Sequence, residues 1–228
     1  MRWLDGIARD AAALYLVGDV FDYWFEYSKV VPKGYVRLLG KLAELRENDL
    51  PIYYFTGNHD MWMFHYLEEE FGIPVYREPI VREIGGKRFF IGHGDGLGPG
   101  DYGYKFIKKV FSNPVCQWLF ERLHPNTGIR LMGYFSGSSR MANPSKMQFH
   151  GEEKERLVQF CNSHPGAEPI DFFIFGHRHL PIDFTLKNGK SRYINLGDWL
   201  VYNSFAVFDG QNLRLKFYEN KEAKIFGS

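Results

Sequence analysis

Side chains that can bind metals recur at four places in the chain, each directly after an apolar run that reaches a glycine. The four places are Gly18-Asp19, Gly57-Asn58-His59-Asp60, Gly92-His93 and Gly176-His177-Arg178-His179. An apolar run bounded by glycine is typical of a buried strand, and open α/β sheets bind ligands at the carboxyl ends of their strands. Since four strand exits share this pattern, the sequence predicts a metal site.

The types of the candidate ligands narrow the choice of metal. Asp19 offers a carboxylate, Asn58 an amide oxygen, and His93, His177 and His179 offer imidazoles, while no thiolate is present among them. Such a set suits manganese, iron or zinc in a reactive site and does not suit a structural zinc site. If residues 177–179 are extended, side chains two apart point the same way, so both histidines would face the metal.

The elements that must position these residues alternate between helix and strand. The periodicity predicts a helix over 2–13, a strand from Leu14, a helix over about 33–48, the strand before Asn58 and a helix over 61–71. A β region follows over about 73–92, with a hairpin turn at Gly85-Gly86-Lys87. Further along the chain we expect a helix over about 151–163, a strand over 172–175 and an antiparallel meander over 181–218. We therefore expect an α/β fold, an α+β sandwich of mixed β-sheets flanked by helices. A length of 228 residues is enough for a single domain over 1–228 but hardly for two.

One segment interrupts this alternation and predicts an inserted helical lid over about 98–146. It has helical patterns at about 101–111, 115–123 and 128–135, and residues 101–150 contain seven Lys and Arg against two acidic residues. The lid also carries more large apolar side chains than a small insertion needs to cover itself. Two interpretations stay open: these side chains pack onto the body, or they line a groove for a hydrophobic ligand.

The overall composition gives no support to a nucleic-acid-binding protein and argues against a disulfide-rich protein and a membrane-spanning protein. The 28 basic and 27 acidic residues nearly balance, so charge does not favour nucleic acid, and we expect no such partner. The two cysteines, Cys116 and Cys161, fit neither a disulfide framework nor a zinc cluster and are expected as free thiols in a reducing cytosol. No stretch approaches the roughly 20 apolar residues of a membrane span, and no signal peptide is evident. We expect a cytoplasmic protein that at most lies on a membrane surface.

The four blocks, together with Asp22 three residues after Asp19, resemble the signature of the calcineurin-like metallophosphoesterases in order and over nearly the whole chain. The resemblance implies that fold and two divalent metals, with manganese first and iron, zinc or magnesium as alternatives. It implies that Asp19 bridges the metals and that the other ligands are Asn58, His93, His177 and His179. It also implies that the metals activate water for attack on phosphorus. His59 would be the general acid or a phosphate ligand, oriented by Asp60.

A narrower resemblance rests on the basic, aromatic lid and on Leu196-Gly197-Asp198-Trp199. These features are similar to the UDP-2,3-diacylglucosamine hydrolases of lipid A synthesis, a branch of the same family. The resemblance implies a nucleotide-linked glycolipid substrate, cleaved to UMP and 2,3-diacylglucosamine 1-phosphate at the cytoplasmic face of the inner membrane. The candidate substrate-binding residues are Arg140, Lys146, Asp101 and Tyr104. The oligomeric state is left open.

Two other functions fit the same signature. One is a phosphodiesterase or phosphomonoesterase with a soluble substrate, because His59 stands where the better-known members of the lipid branch have Arg. The other is a non-catalytic metal-binding scaffold of the same fold. The His59-Asp60 pair argues against the scaffold, which has no use for a general acid.

The second metal site differs from the family pattern. The family opens with a strand that ends in Asp-x-His and completes this site, but no Asp-x-His precedes Gly18 here. We therefore expect about 20–30 residues fewer than in the family, including that opening strand. Asp19 and His179 would then be the only protein ligands of the second metal, where three or four are usual. This site is expected to be empty, weak or rearranged.

Overall fold

The computed structural model describes residues 1–141, 148–164 and 168–227, with the side chains of 134–141 left out. The chain forms two compact units. A first unit comprises Met1–Glu78 and Lys105–Ala142, and a second unit comprises Pro79–Tyr104 and Asn143–Ser228. The predicted single domain with a lid over about 98–146 stays a prediction, whereas the mixed α/β class is confirmed.

The first unit contains a small parallel sheet with helices around it. Its strands are β1 (Leu14–Val17), β2 (Ile52–Phe55) and β3 (Val75–Tyr76), in the order β1-β2-β3, and the nearby helices are α1 (Arg2–Ile7), α2 (Val36–Glu47) and α3 (Tyr66–Phe71). Leu14 pairs with Ile52 and Val17 with Phe55, so β1 and β2 end side by side. Helix α1 is shorter than predicted, because turn hydrogen bonds from Asp10 and Ala11 to the carbonyl of Ile7 replace further helix.

The predicted lid helices are present in the structure. They are α4 (Tyr102–Phe111), α5 (Pro114–Glu121) and α6 (Pro125–Met141). Asn113 starts α5 by accepting hydrogen bonds from the amides of Val115 and Cys116, and Pro114 at the first helical position needs no acceptor. Among the described residues, no helix is both long and apolar enough to cross a bilayer.

The second unit is built on a five-stranded mixed sheet. Its strands are β4 (Ile80–Ile84), β5 (Lys87–Ile91), β6 (Phe172–Phe175), β7 (Pro181–Thr185) and β8 (Arg192–Leu196), and the order is β4-β5-β6-β8-β7. Strands β5, β6 and β8 are parallel. The predicted hairpin at Gly85 and Gly86 is confirmed, since both residues adopt the positive φ that a type I′ turn requires.

The predicted meander over 181–218 is wrong. Strand β8 pairs with β7 on one side and with β6 on the other, so neither edge is left for the next strand. Strands β9 (Ser204–Phe208) and β10 (Leu213–Phe217) form a separate antiparallel hairpin. The remaining helix, α7 (Arg156–Ser163), begins later than predicted because Glu155 is its N-cap. Cys116 and Cys161 are free, as expected.

Candidate metal centre

In the first unit, the Asp60 carboxylate holds the loop that carries Asp19. Strand β1 ends at Val17, and the chain then turns through Gly18 and Asp19, both with positive φ. Positive φ is uncommon for any residue but glycine, so such a turn needs support from its surroundings. Asp60 is fully buried, and its carboxylate accepts hydrogen bonds from the amide of Asp19 at 3.3 Å and from that of Val20 at 2.9 Å.

The same carboxylate also binds the loop after β2. It accepts a hydrogen bond from the amide of Gly57 at 2.6 Å and another from the hydroxyl of Tyr54. Burial raises the pKa of Tyr54 well above its ordinary value, and the negative charge of Asp60 raises it further. Tyr54 therefore keeps its proton and stays a donor. Asp60 thus joins the ends of two neighbouring parallel strands.

The two loops also contact each other through Asp19. Its Oδ1 accepts a hydrogen bond from the amide of His59 at 2.8 Å. A Cβ on Gly57 would overlap the Asp19 carboxylate, so only glycine fits at this position. Asn58 lies between these two contacts in the chain. The structure therefore brings the Asp19 and Asn58 loops together, as the sequence predicts.

The His59 side chain is oriented by a group that the sequence analysis did not assign. Its Nδ1 lies 3.0 Å from the backbone carbonyl of Asp22 and 3.7 Å from the Asp22 carboxylate. Asp60, expected to orient His59, binds instead the backbone amides and the tyrosine described above. The geometry therefore favours Asp22 as the residue that orients His59.

In the second unit, the loops after β5 and β6 meet at His93. The carbonyl of His93 accepts hydrogen bonds from the amides of Gly176 and His177, both at 3.1 Å. The buried Nε2 of His93 lies 3.4 Å from Nδ1 of His177. Two nitrogens that each lie about 2.1 Å from one metal in tetrahedral geometry are separated by roughly this distance. The pair therefore fits two ligands of one metal ion.

His177, Arg178 and His179 are not extended, so the alternation argument for their orientation is wrong. They form a turn, which we call the histidine turn, closed by a hydrogen bond from the amide of His179 to the carbonyl of Gly176 at 3.3 Å. His179 has a φ of 54°. Its Nδ1 lies 3.8 Å from Oδ2 of Asp198, a contact absent from the predicted site.

Asp198 is a half-buried carboxylate beside His179. Its Oδ1 accepts hydrogen bonds from the amides of Leu200, Val201 and Tyr202. Burial raises the pKa of Asp198, but His179 and these three amides outweigh burial and lower the pKa below its ordinary value. The sequence contains a signal for this residue, because Asp198 follows the apolar strand β8 and Gly197 in the same pattern as the four blocks.

The candidate substrate-binding residues divide into three groups. The Tyr104 hydroxyl donates to Asp95 at 2.7 Å, and its ring centroid lies 6.2 Å from that of His177. Asp101 forms an ion pair with Arg156 at 2.7 Å. The side chain of Arg140 and the whole of Lys146 lie outside the described residues.

Among the residues that the structure describes, no three or more His, Cys, Asp and Glu side chains are grouped closely enough to hold a metal ion as they stand. The His93 and His177 nitrogens are therefore a pair of possible donors and not a complete ligand set.

A comparison with protein families places this chain among known enzymes. The model of the calcineurin-like phosphoesterase family matches residues 1–181, and the chain belongs to that family. It is a metal-dependent phosphoester hydrolase, which confirms the predicted fold and reaction class.

The chain is also similar to individual enzymes over most of its length. The chain is 40% identical over 237 residues to the UDP-2,3-diacylglucosamine hydrolase of Porphyromonas gingivalis, covering 96% of this chain and 88% of the relative. It is 29% identical to the enzyme of the same name from Aeromonas salmonicida, covering 95% of this chain and 84% of the relative. The corresponding enzyme of Pseudomonas entomophila is 28% identical, with 95% and 89% covered.

The contacts of Asp60 predict a large loss of stability when its carboxylate is removed. Asp60→Ala should lower the free energy of unfolding by about 3 kcal/mol, because several buried donors lose a charged acceptor at once. Tyr54→Phe is the matched control, since it removes one donor to the same carboxylate and should cost about 1 kcal/mol. Urea unfolding of the metal-free protein measures both changes. An Asp60→Ala loss no larger than that of Tyr54→Phe would contradict the assignment.

Proposed function

We propose that this enzyme hydrolyses the pyrophosphate bond of a UDP-linked diacylglucosamine, releasing UMP and the 1-phosphate of the acylated sugar. The observation that carries the proposal is the 40% identity to a UDP-2,3-diacylglucosamine hydrolase over 96% of the chain. The match covers most of both proteins, so it includes every block from which the metal site was predicted. A soluble substrate and a non-catalytic scaffold are the alternatives that the test must separate.

The proposed metal ligands are Asp19 and Asn58 in the first unit and His93, His177 and His179 in the second. The separation of the His93 and His177 nitrogens supports the assignment of these two. Manganese is the first choice, with iron, zinc or magnesium as alternatives, because the donors are oxygen and imidazole. When bound, such metals polarise the phosphate and acidify water at neutral pH. The prediction of a weak second site, with Asp19 and His179 as its protein ligands, is part of the proposal.

His59 is proposed to contact the phosphate of the substrate, as a hydrogen-bond donor or as the general acid. Its Nδ1 contacts the Asp22 carbonyl, which fixes the ring and directs Nε2 away from the backbone. A protonated imidazole held in this way can donate a hydrogen bond to phosphate or a proton to the leaving oxygen. Asp60 then has a positioning role, because its carboxylate is engaged by the backbone of both loops. This differs from the sequence prediction, in which Asp60 joins the catalytic pair by orienting His59.

Recognition of the polar part of the substrate is assigned to three residues. Tyr104 is favoured by its place beside His177 and by the Asp95 carboxylate that fixes its hydroxyl. Arg140 and Lys146 are assigned on charge, because cations neutralise the charge that develops on a pyrophosphate. The ion pair between Asp101 and Arg156 favours a structural role for Asp101 at the start of α4 over direct contact with the substrate.

The large apolar side chains of the lid helices divide into a packed group and an exposed group. Some of their aromatic rings pack onto the body of the first unit: Phe111 and Phe120 lie 5.1 and 4.7 Å from the ring of Trp62. Others are exposed, including Phe106 at 68% and Trp118 at 53%. This exposed apolar surface, with Val115 and Leu119, is accompanied by four cations: Lys105, Lys108, Lys109 and Arg122.

Apolar side chains beside cations are typical of proteins that lie on anionic lipid surfaces. We therefore assign the exposed lid surface to contact with acyl chains at the inner membrane. This assignment matches a substrate that is both a glycolipid and an anion. No nucleic-acid partner is proposed.

The proposed reaction predicts UMP release from UDP-2,3-diacylglucosamine that depends on Mn²⁺. His93→Ala should reduce the rate at least a hundredfold, because one ligand of the activating metal is lost. His65→Ala is the control, since this exposed histidine lies outside the four blocks. Chromatographic detection of UMP measures the reaction.

Three results would change the assignment. Cleavage of simple phosphodiesters without cleavage of the lipid would favour the soluble substrate. Binding of metal without any hydrolysis would favour the scaffold. Equal rates for His93→Ala and the wild-type protein would contradict the proposed ligand set.

The lid surface predicts binding to vesicles that contain anionic lipid. Replacing Phe106 and Trp118 by Ser should weaken binding to phosphatidylglycerol vesicles by roughly tenfold or more, because two large apolar contacts are lost. Val36→Ser is the control, because this residue of α2 is also apolar and is 77% exposed but lies outside the lid helices. Cosedimentation at several salt concentrations measures the affinity. Binding that is unchanged in the double variant would contradict a membrane contact at this surface.

A further inference from the structure

The side chain between the two histidines of the histidine turn is anchored in the interior of the second unit. Arg178 donates to Glu155 twice, from Nε to Oε2 at 2.9 Å and from Nη2 to Oε1 at 2.9 Å. The Glu155 side chain is only 4% exposed and the Arg178 side chain 17%, so this two-point ion pair is largely shielded from water. Paired hydrogen bonds between guanidinium and carboxylate fix direction as well as distance.

The Glu155 carboxylate is itself held in place. It accepts a further hydrogen bond from the amide of His150 at 3.3 Å, and its own backbone forms the N-cap of α7. Arg178 also donates to the carbonyl of Gln148 at 2.9 Å. The ion pair therefore ties the histidine turn to the segment that leads into α7.

A second buried side chain holds the same turn from the sheet. Asn195 lies on β8 and is completely buried. Its Nδ2 donates to the carbonyl of Leu180 at 2.8 Å, and its Oδ1 accepts from the amide of Arg178 at 3.4 Å. The turn is thus fixed through its backbone by Asn195 and through a side chain by Glu155.

We propose that Glu155, acting through Arg178, is a positioning residue that sets the orientation of His177 and His179 for metal binding. The inference rests on the proposed function, because it takes these two histidines as ligands. The turn lies beyond the end of β6, so sheet hydrogen bonds do not define its shape. His179 has a positive φ, which side-chain contacts must maintain. Groups that orient metal ligands in this way commonly change metal affinity by 10–100-fold, an order of magnitude taken from other proteins.

The two possible roles of the Glu155 and Arg178 pair, stabilising the fold or positioning the histidines, predict different effects of mutation. Removing one partner leaves a buried charge without its counterpart, whereas removing both avoids that penalty. The double variant Glu155→Gln with Arg178→Met should therefore recover stability in either case. If the pair serves stability alone, the double variant should also recover metal affinity. If the pair positions the histidines, metal affinity should stay low, because the double variant lacks the anchor of the turn just as the single variants do.

The experiment measures Mn²⁺ binding by calorimetry and thermal unfolding in the absence of metal for each variant of the full chain. We expect Glu155→Gln and Arg178→Met to bind Mn²⁺ about tenfold more weakly than the wild-type protein. The double variant should unfold near the wild-type temperature and still bind about tenfold more weakly. If a single variant does not fold, the double variant decides the question.

Asp183→Asn is the matched control. Asp183 forms a similar two-point pair with Arg192 in the same unit, with Nε of Arg192 at 3.0 Å from Oδ1, but this pair joins β7 to the start of β8. The Asp183→Asn substitution should lower the unfolding temperature and leave the Mn²⁺ affinity unchanged. A parallel loss of affinity in this control would overturn the inference, since any weakening of the unit would then reduce binding.

The binding measurements separate a wrong positioning role for Glu155 from a wrong assignment of the metal ligands. Wild-type affinity in the Glu155 and Arg178 variants would overturn the positioning role while leaving the metal ligands in place. Absence of Mn²⁺ binding by the wild-type protein would overturn both. Weakened binding in the double variant at wild-type stability would support the positioning role.

Discussion

The hydrogen bonds that the buried carboxylate of Asp60 accepts are the interaction on which the loops of the first unit depend. Strands β1 and β2 are parallel neighbours, so their carboxyl ends are adjacent, but adjacency alone does not shape the loops that follow. The backbone amides of these loops need acceptors once they are buried. Asp60 provides one acceptor for the amides of both loops, and the carboxylate of Asp19 is presented as a result.

In the second unit, a backbone carbonyl instead of a carboxylate accepts the hydrogen bonds that hold the two loops together. The carbonyl of His93 accepts from two amides of the loop after β6, which brings two imidazole nitrogens within 3.4 Å of each other. In both units, therefore, hydrogen bonds between loops at the ends of neighbouring parallel strands set the positions of the proposed ligands. These side chains depend on neighbouring groups that are not themselves proposed as ligands, and in metal sites such neighbours commonly matter nearly as much as the ligands.

Much of this arrangement was predictable from local sequence. Buried strands that end in glycine and a polar residue identified Asp19, Asn58, His93 and the histidine turn, because burial and turn formation are both local signals. Asp198 carries the same signal after β8 and could have been found in the same way. The glycines of the β4–β5 hairpin were also sufficient to predict its turn, since positive φ at two successive positions is a local requirement.

The parts that could not be predicted depend on partners distant in sequence. The shape of the histidine turn is fixed by Glu155 and Asn195, and neither spacing nor periodicity reveals those contacts. The meander failed for a similar reason, because β8 takes β6 as its second neighbour and β9 is left to pair with β10. Hydrophobic periodicity reports which residues are buried, but it does not identify the strands that pair with each other.

We propose that His93 and His177 bind the same metal ion. Anomalous diffraction from crystals grown with Mn²⁺, recorded on both sides of the manganese absorption edge, tests it most directly. We expect a manganese peak in contact with Nε2 of His93 and Nδ1 of His177. Well-ordered histidines at these positions without a manganese peak between their nitrogens, or a peak bound elsewhere, would contradict it.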